Sequence, residues 1–311
     1  MHMRIRMAAV GLSLCVLLGL CSGCSESVKS VSGASLTAED YTAYSSKAAP
    51  PQGQPYAASA DRTVSASSAL SPLPSDISSV RRMFLQSLKA TNKLTDFQRT
   101  ATRTLKVGQV ELVKSAETCQ SASDDAGVVQ LTQLEASYKT ETAQSRGLES
   151  RVTYLEDGII YTLSNVEDSL DASNNQVNTV TSQKATEPED AVPSFYLDLT
   201  ERMIRSVDVS QSGSDVLYSI TLDSDNCREQ VINLLQKQPF GLTFDKDSFQ
   251  LDYNVCSARS NADGLISEIT TSISGRYQQD GQEQSSELTI KYVFSQPAAP
   301  PERPAWADVE S

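Results

Sequence analysis

The chain has 311 residues, of which 39% are hydrophobic, 6% aromatic and 21% charged, and its formal net charge is −13 at pH 7. A surface this acidic repels phosphate backbones, so the charge argues against a nucleic-acid-binding protein. The single histidine is His2, which lies in a segment expected to be cleaved. A mature chain without imidazole builds neither a Ser-His-Asp triad nor a His-ligated metal site, and we expect a protein that is not an enzyme and needs no cofactor.

The first 23 residues have the features of a signal peptide. Arg4 and Arg6 form a short positive region, and residues 7–21 are almost wholly apolar. About 15 apolar residues are too few for a membrane-spanning helix, which needs roughly 20, but they suit a signal sequence. The following Ser22-Gly23-Cys24 resembles the lipobox of bacterial lipoproteins, which implies lipid modification of Cys24. An ordinary secretory signal is the alternative. Acyl chains on Cys24 would anchor the protein in the cell membrane, facing outside the cytoplasm.

Residues 24–77 are dominated by Ser, Ala, Thr, Pro and Gly. Large apolar side chains are too sparse there to offset the entropy lost on ordering, so the segment is predicted to be a flexible tether. Some 50 residues of such chain reach roughly 40 Å on average. A loop without any spacing role is the alternative, and both interpretations exclude a folded domain in this segment.

A single α+β domain is predicted over residues 78–296. Apolar residues at helical spacing begin at Val80, with Ser75, Asp76 or Ser78 as the cap. Short strands are then predicted over Phe97–Val107, Val110–Val113 and Val128–Ala136. A hairpin pairs Arg151–Leu155 with Ile159–Leu163, because Asp157-Gly158 suits a tight turn between two alternating strands. The polar residues 168–193 are predicted to be a long loop.

The second half of the domain has longer elements. Helices are predicted over Ser194–Ile204 and Asp225–Lys237, with a strand over Val216–Leu222 between them. Three long strands are predicted next, because apolar residues alternate with polar ones in each. The apolar residues that are predicted to share one face are Phe249, Leu251, Tyr253 and Val255 in the first strand; Leu265, Ile269, Ile273 and Tyr277 in the second; and Leu288, Ile290, Tyr292 and Phe294 in the third. Residues 297–311 form a Pro-rich tail that is expected to be extended, with Trp306 as the side chain that could dock on the sheet.

This order of elements resembles the bacterial lipoproteins with a LolA/LppX-like half-barrel, including uncharacterised ones from Gram-positive bacteria. The matching features are the lipobox, the hairpin Tyr154–Tyr161 and the strand end Ile290–Phe294. The resemblance covers residues 78–296 and implies a curved antiparallel sheet of about eight strands wrapped around two or three helices. It also implies a lipid or other hydrophobic ligand between sheet and helices. The polar stretch 168–193 and the three cysteines of the domain depart from the pattern.

The candidate ligand cavity is formed by apolar residues of the last two strands, namely Leu265, Ile269, Ile273, Tyr277, Leu288, Ile290, Tyr292 and Phe294. The small residues Ser267 and Gly275 on the same strand leave room for a cavity, and they equally suit a sharply bent strand. The alternative is a filled core. In that case the protein would be a structural or protein-interaction module of the cell envelope, with a partner that the sequence does not identify.

Three cysteines follow Cys24, namely Cys119, Cys227 and Cys256. Outside the cytosol, a disulfide between Cys227 and Cys256 is plausible and would stabilise the fold by about 3–4 kcal/mol, and buried free thiols are the alternative. The alternating carboxylates Asp223–Asp225 and Asp245–Asp247 do not continue into a calcium-binding loop. They are interpreted as a helix cap and a turn, and no metal site is predicted.

Overall fold

The structure is a computed structural model that describes residues 73–74, 76–125, 127–184, 188–189, 199–237, 239–295 and 299–308. The predicted signal peptide, Cys24 and the tether up to residue 72 lie outside the described residues. Within the described part of the chain, no helix is both long and apolar enough to cross a membrane.

Eleven antiparallel strands form a single sheet, in the order β6-β5-β4-β3-β2-β1-β11-β10-β9-β8-β7. The strands are β1 Phe97–Val107, β2 Val110–Asp124, β3 Gly127–Lys139, β4 Ser145–Glu156, β5 Ile159–Asp168, β6 Gln176–Lys184, β7 Ile204–Ser212, β8 Asp215–Leu222, β9 Gln250–Ser260, β10 Ile266–Gln279 and β11 Gln282–Ser295. The chain therefore forms two meanders, β1–β6 and β7–β11, which are joined by the pairing of β1 with β11. The sheet has more strands than the eight or so that were predicted.

Two α-helices pack on one face of the sheet. Helix α1 spans Ile77–Thr91 and helix α2 spans Ser224–Gln236. Each begins at an aspartate that caps the free N–H groups of its first turn, since Asp76 accepts a 2.8 Å bond from the amide of Ser79 and Asp223 a 2.9 Å bond from that of Asn226. Both helices match predicted ones, and Asp76 is one of the three residues that the sequence offered as the cap of α1. We call the face that the helices cover the inner face, and the opposite one the outer face.

The hydrophobic core lies between the helices and the inner face of the second meander and β1. Phe84 of α1 and Val231 of α2 are fully buried there. Strand β11 alternates as predicted, because its inner-face residues are buried and its outer-face residues Thr289 and Lys291 are not. Burial of a Leu, Ile or Phe side chain contributes about 1.5–3 kcal/mol, so this face is a major source of stability.

Strand β9 does not keep one face as predicted. Leu251 is buried, whereas Tyr253 is 43% exposed and Val255 is 38% exposed. The reason is a bulge, because Leu251 pairs with Gly275 and Tyr253 pairs with the adjacent Ser274, which leaves Asp252 as an extra residue. From Asn254 onward, the even-numbered residues of β9 therefore face the core.

The bulge also explains the glycine on β10. A Cβ atom at Gly275 would lie only 2.5 Å from the ring of Phe249 and 2.9 Å from the carbonyl oxygen of Gln250. The space beside this glycine is thus filled by an aromatic ring, so the residue accommodates the bent strand instead of leaving a cavity there.

Two predicted segments differ from the structure. The predicted loop 168–193 contains strand β6, an edge strand that was missed because only Val177 and Val180 are apolar in it. Of the predicted helix Ser194–Ile204, residues 194–198 lie outside the described residues. The remainder forms a short 3₁₀ turn, Glu201–Met203, and the first residue of β7, where Ile204 pairs with Leu222.

Candidate functional site

An open groove of about 670 Å³ lies along strands β1–β6, and we call it the outer-face groove. Its lining residues are Thr102, Thr104, Lys114, Ser115, Ala116, Glu135, Ala136, Ser137, Leu148, Glu149, Ser150, Asn165, Val166, Glu167, Gln176 and Val177.

The strand register places most of these residues on the outer face. On β1, Ala101, Arg103 and Leu105 are buried on the inner face, so Thr102 and Thr104 point the opposite way. Two rows of paired residues then cross the sheet: Thr102, Ala116, Glu135, Ser150 and Asn165; Thr104, Lys114, Ser137, Leu148 and Glu167. The groove is therefore built by regular pairing within the sheet, which is a rigid support for a binding site.

The floor of the groove combines small hydroxyl and methyl groups with few charges. Lys114 is the only basic residue among the lining residues, against Glu135, Glu149 and Glu167. Glu149 is already engaged, because its carboxylate accepts a 2.7 Å hydrogen bond from Tyr138 and lies 2.6 Å from the guanidinium of Arg151. Burial, followed by the charge of Glu149, raises the pKa of Tyr138. With Lys114 against Glu135 and Glu167, the groove keeps a net negative charge, which disfavours an anionic ligand.

The Pro-rich tail packs on the outer face, next to the groove. In residues 299–308, the side chains of Pro301, Pro304, Trp306 and Ala307 are buried, whereas the residues between them are exposed. Trp306 packs with a second hydrophobic cluster on β4–β6, made of Val152, Tyr154, Leu163, Val180 and Ala307, with Val129, Leu131 and Tyr161 at its margin. The docking of Trp306 on the sheet is confirmed.

Arg303 holds the tail on the sheet through several contacts. Its guanidinium forms an ion pair with Glu156 at the end of β4, and it donates to Asp308 at 2.7 Å and to the carbonyl of Ala307 at 2.9 Å. The same group lies 4.8 Å from the ring centre of Tyr161, within the range of a cation–π contact. Hydrogen bonds with Tyr161, Asp308 and Glu156 raise the pKa of Arg303.

A buried ionic cluster lies on the inner face of β1 and β2. Arg99 is fully buried, and its Nη2 atom lies 2.6 Å from Glu117 Oε1 and 2.6 Å from Glu189 Oε1. Arg103 lies 2.9 Å from the other oxygen of Glu117. Burial lowers the pKa of Arg99 whereas Glu189 and Glu117 raise it, and the carboxylates prevail. Two guanidinium groups and two carboxylates balance each other, which is the condition for burying charges at tolerable cost.

Glu189 belongs to the connection between β6 and β7. Its backbone N–H donates a 2.7 Å bond to the side chain of Gln130, which donates a 2.9 Å bond back to the carbonyl of Glu189. Thr132 donates to its carboxylate at 3.1 Å. The cluster thus attaches this connection to the inner face, and its charged groups are engaged with one another. We interpret it as structural.

The predicted ligand cavity coincides with the core. Seven of its eight residues are at most 2% exposed and belong to the main hydrophobic cluster, and Leu265 is half-buried just before β10. None of the eight lines the outer-face groove. A cavity among them stays a prediction.

The three cysteines of the domain are buried free thiols. The Sγ atom of Cys227 is oriented towards the carbonyl of Met203, at 3.9 Å. Burial raises the pKa of Cys227 to about 11 and that of Cys119 to about 12, so neither thiol is a nucleophile near neutral pH. A disulfide between Cys227 and Cys256 is not formed in the structure and stays a prediction for the oxidised protein.

Sequence reasoning missed both the groove and the ionic cluster. The cluster had a signal, because Arg99 and Arg103 alternate in phase with Phe97, Ala101 and Leu105, so they had to share the buried face of β1. The groove had none, since its small polar residues are those of any solvated strand face. The tail also had a signal, because Pro301, Pro304 and Ala307 recur at every third residue. Its last residues are not extended as expected, since Ala305–Asp308 forms a short 3₁₀ turn, which also has three residues per turn.

Comparisons with known proteins do not assign the chain to a family. No family model matches it, and no curated protein matches it. A porin-like protein from Bacteroides uniformis ATCC 8492 aligns over 66% of this chain and 99% of its own, with 8% identity and a TM-score of 0.16. An N-terminal dehydratase from the difficidin assembly line aligns over 68% and 84%, with 12% identity and a TM-score of 0.11. At such TM-scores neither likeness carries an argument, and the fold is described by its own topology as a mostly-β protein with one 11-stranded antiparallel sheet.

Proposed function

We propose that this chain is a non-enzymatic lipoprotein, anchored to the cell membrane through Cys24 and facing outside the cytoplasm, which binds an uncharged amphipathic ligand in the outer-face groove. The observation that carries the proposal is the groove itself. Its volume of about 670 Å³ lies within the range of about 300–1,000 Å³ that is usual for small-molecule sites.

The chemistry of the lining supports this class of ligand. The side chains of Thr102, Ala116 and Ser150 offer methyl and hydroxyl groups side by side, and Leu148 and Val177 add exposed aliphatic surface, at 55% and 78% exposure. Hydroxyl groups can bond a polar head, while methyl groups favour burial of a hydrocarbon portion.

The half-barrel resemblance supports a hydrophobic ligand in general, but the proposed place of binding differs from the one that it implies. The helices α1 and α2 cover the inner face of the second meander and β1, where Phe84, Val231 and the predicted cavity residues pack together. The non-enzymatic part of the proposal is supported by the lone His2 in the predicted signal peptide. It is supported as well by the pairing of the buried charges Arg99 and Glu117 with each other.

The test fills the groove and measures bound ligand. Ala116→Phe places a ring at the second position of the first row, within the groove. Ser257→Phe places the same ring on the exposed outer face of β9, away from the groove. Residues 25–311 are produced without the lipid, incubated with a lipid-rich extract and studied by native mass spectrometry. We expect a releasable mass of several hundred daltons on the wild type and on Ser257→Phe, and at least tenfold less on Ala116→Phe. Equal loading of both variants would place the ligand elsewhere.

A structural or interaction module of the cell envelope is the second candidate. The filled inner core favours it, as do the exposed side chains of Tyr253 and Val255 on the outer face of β9, which a partner protein could contact. A clean protein mass for all three proteins in the same experiment would support this candidate and would contradict the ligand-binding one.

A further inference from the structure

The floor of the outer-face groove continues under the tail. Along the outer face of β4, Ser150 of the groove is followed by Val152 and then Tyr154. On β5, Asn165 of the groove is preceded by Leu163, which pairs with Val152. The open groove and the covered patch are therefore one continuous strip of sheet. Most residues of its open end are polar, and the residues under the tail are apolar.

The tail is held over this strip by side chains. Among the described residues, it makes no backbone hydrogen bond to the sheet, and its own is the internal one from Ala307 to Pro304. The ion pairs of Arg303 are partly exposed, at 34% for Arg303, 29% for Glu156 and 65% for Asp308. Exposed ion pairs contribute little to stability, so their loss costs little when the tail leaves the sheet. Its departure also breaks no pairing between strands.

Within the part of the chain that the structure describes, the indole N–H group of Trp306 lacks a hydrogen-bond partner when the tail is docked on the sheet. Its side chain is 6% exposed, and its Nε1–H group is buried without a hydrogen-bond acceptor among the described residues. A buried donor without a partner carries a desolvation penalty, whereas a hydrocarbon chain in the same place carries none. A hydrocarbon chain that took the place of Trp306 on this patch would remove this penalty.

We infer that residues 299–308 form a lid over the apolar half of the ligand site, and that the site takes an uncharged amphiphile with a long acyl chain. The polar head lies in the open groove, near Thr102, Ser137 and Ser150. The acyl chain displaces Trp306 and covers Val152 and Leu163. This inference rests on the proposed function and specifies its ligand class.

The test uses Trp306, the only tryptophan of the chain, as the reporter. Residues 25–311 are titrated with monooctanoylglycerol and with monopalmitoylglycerol, each below the concentration at which it aggregates. Native mass spectrometry measures binding, while tryptophan emission and acrylamide quenching measure the exposure of Trp306. We expect both probes to bind, but only the palmitoyl probe to shift the emission to longer wavelength and to increase quenching.

A variant of the lid tests the same competition. Arg303→Gln removes the ion pairs with Glu156 and Asp308 and should strengthen binding of the palmitoyl probe several-fold, without changing binding of the octanoyl probe. If both probes bind and Trp306 stays shielded, or if the variant affects both equally, the lid is wrong and the groove remains the binding site. If neither probe binds to either protein, the result overturns the lid together with the amphiphile site of the proposed function.

Discussion

Arg99 is the residue whose environment is least expected for its chemical type. Its side chain is fully buried on a sheet face that otherwise carries Phe97, Ala101 and Leu105, and it is compensated by Glu117 and Glu189. A buried guanidinium is tolerated only with such partners, since an unpaired buried charge costs several kcal/mol.

Replacing Arg99 with alanine should therefore strongly destabilise the fold. The change leaves Glu117 on the buried face with one of its two partners and removes one contact of Glu189, so we expect the free energy of unfolding to fall by about 3–5 kcal/mol. Urea denaturation followed by circular dichroism measures this. Arg276→Ala is the matched control, because its pair with Asp252 lies at the surface and its loss should leave stability nearly unchanged. Equal effects of the two substitutions would contradict the role given to the buried cluster.

At the scale of elements, the β4–β5 hairpin shows what the sequence could predict. Its Asp157-Gly158 turn has the positive φ angles, 51° and 70°, that such a tight turn requires, and the strands on either side alternate as expected. The turn chemistry is local, so it is visible in the sequence. Strand β6 pairs with the far side of this hairpin through few apolar residues, and pairing of that kind leaves almost no trace in the sequence.

The same hairpin offers a test of close strand packing. A Cβ atom at Gly147 of β4 would lie 2.0 Å from the carbonyl oxygen of Glu167 on β5, which is a backbone atom and cannot rotate away. Gly147→Ala should therefore cost about 1–3 kcal/mol of the free energy of unfolding, as for other overpacked sites. Thermal unfolding checks this, with the exposed Ser145→Ala on the same strand as the control. A variant as stable as the control would mean that the two strands separate more easily than their register suggests.

At the scale of the whole molecule, buried thiol and phenol groups make the free energy of unfolding depend on pH in the alkaline range. Burial raises the pKa of Cys227 from 9.0 to about 11, that of Cys119 to about 12 and that of Tyr277 to about 12. In the unfolded chain these groups lose their protons at lower pH than in the folded protein. Their contribution to the free energy of unfolding is thus complete below the pKa of the unfolded chain. It is lost as the pH rises through the pKa of the folded protein.

We therefore expect the free energy of unfolding to fall steadily as the pH rises from 9 towards 11, the interval set by Cys227. Urea denaturation at successive pH values measures the slope. The variant Cys227→Ala lacks one of the titrating groups and should show a shallower slope over the same interval. Identical slopes would exclude Cys227 as a source of the dependence.

The overall arrangement was predicted in part, for reasons that particular elements make clear. The inner-face pattern of β11 and both α-helices could be predicted, because their apolar residues recur with the period of a strand or a helix. The bulge at Asp252 could not be predicted, because a single extra residue reverses the faces of β9 without changing its composition. The groove depends on which strands are neighbours, and the pairing of β1 with β11 joins residues that are distant in sequence.

That single pairing also decides how the molecule responds to a pulling force. Gln98, near the start of β1, lies opposite Ser295, the last residue of β11, so the chain enters and leaves this strand pair at the same end. A tension applied between these two points would load the hydrogen bonds one rung at a time and would open the pair like a zipper, whereas a pull along the strands would load all rungs together. The pairing of β1 with β11 would therefore yield to the first kind of pull at a lower force than to the second.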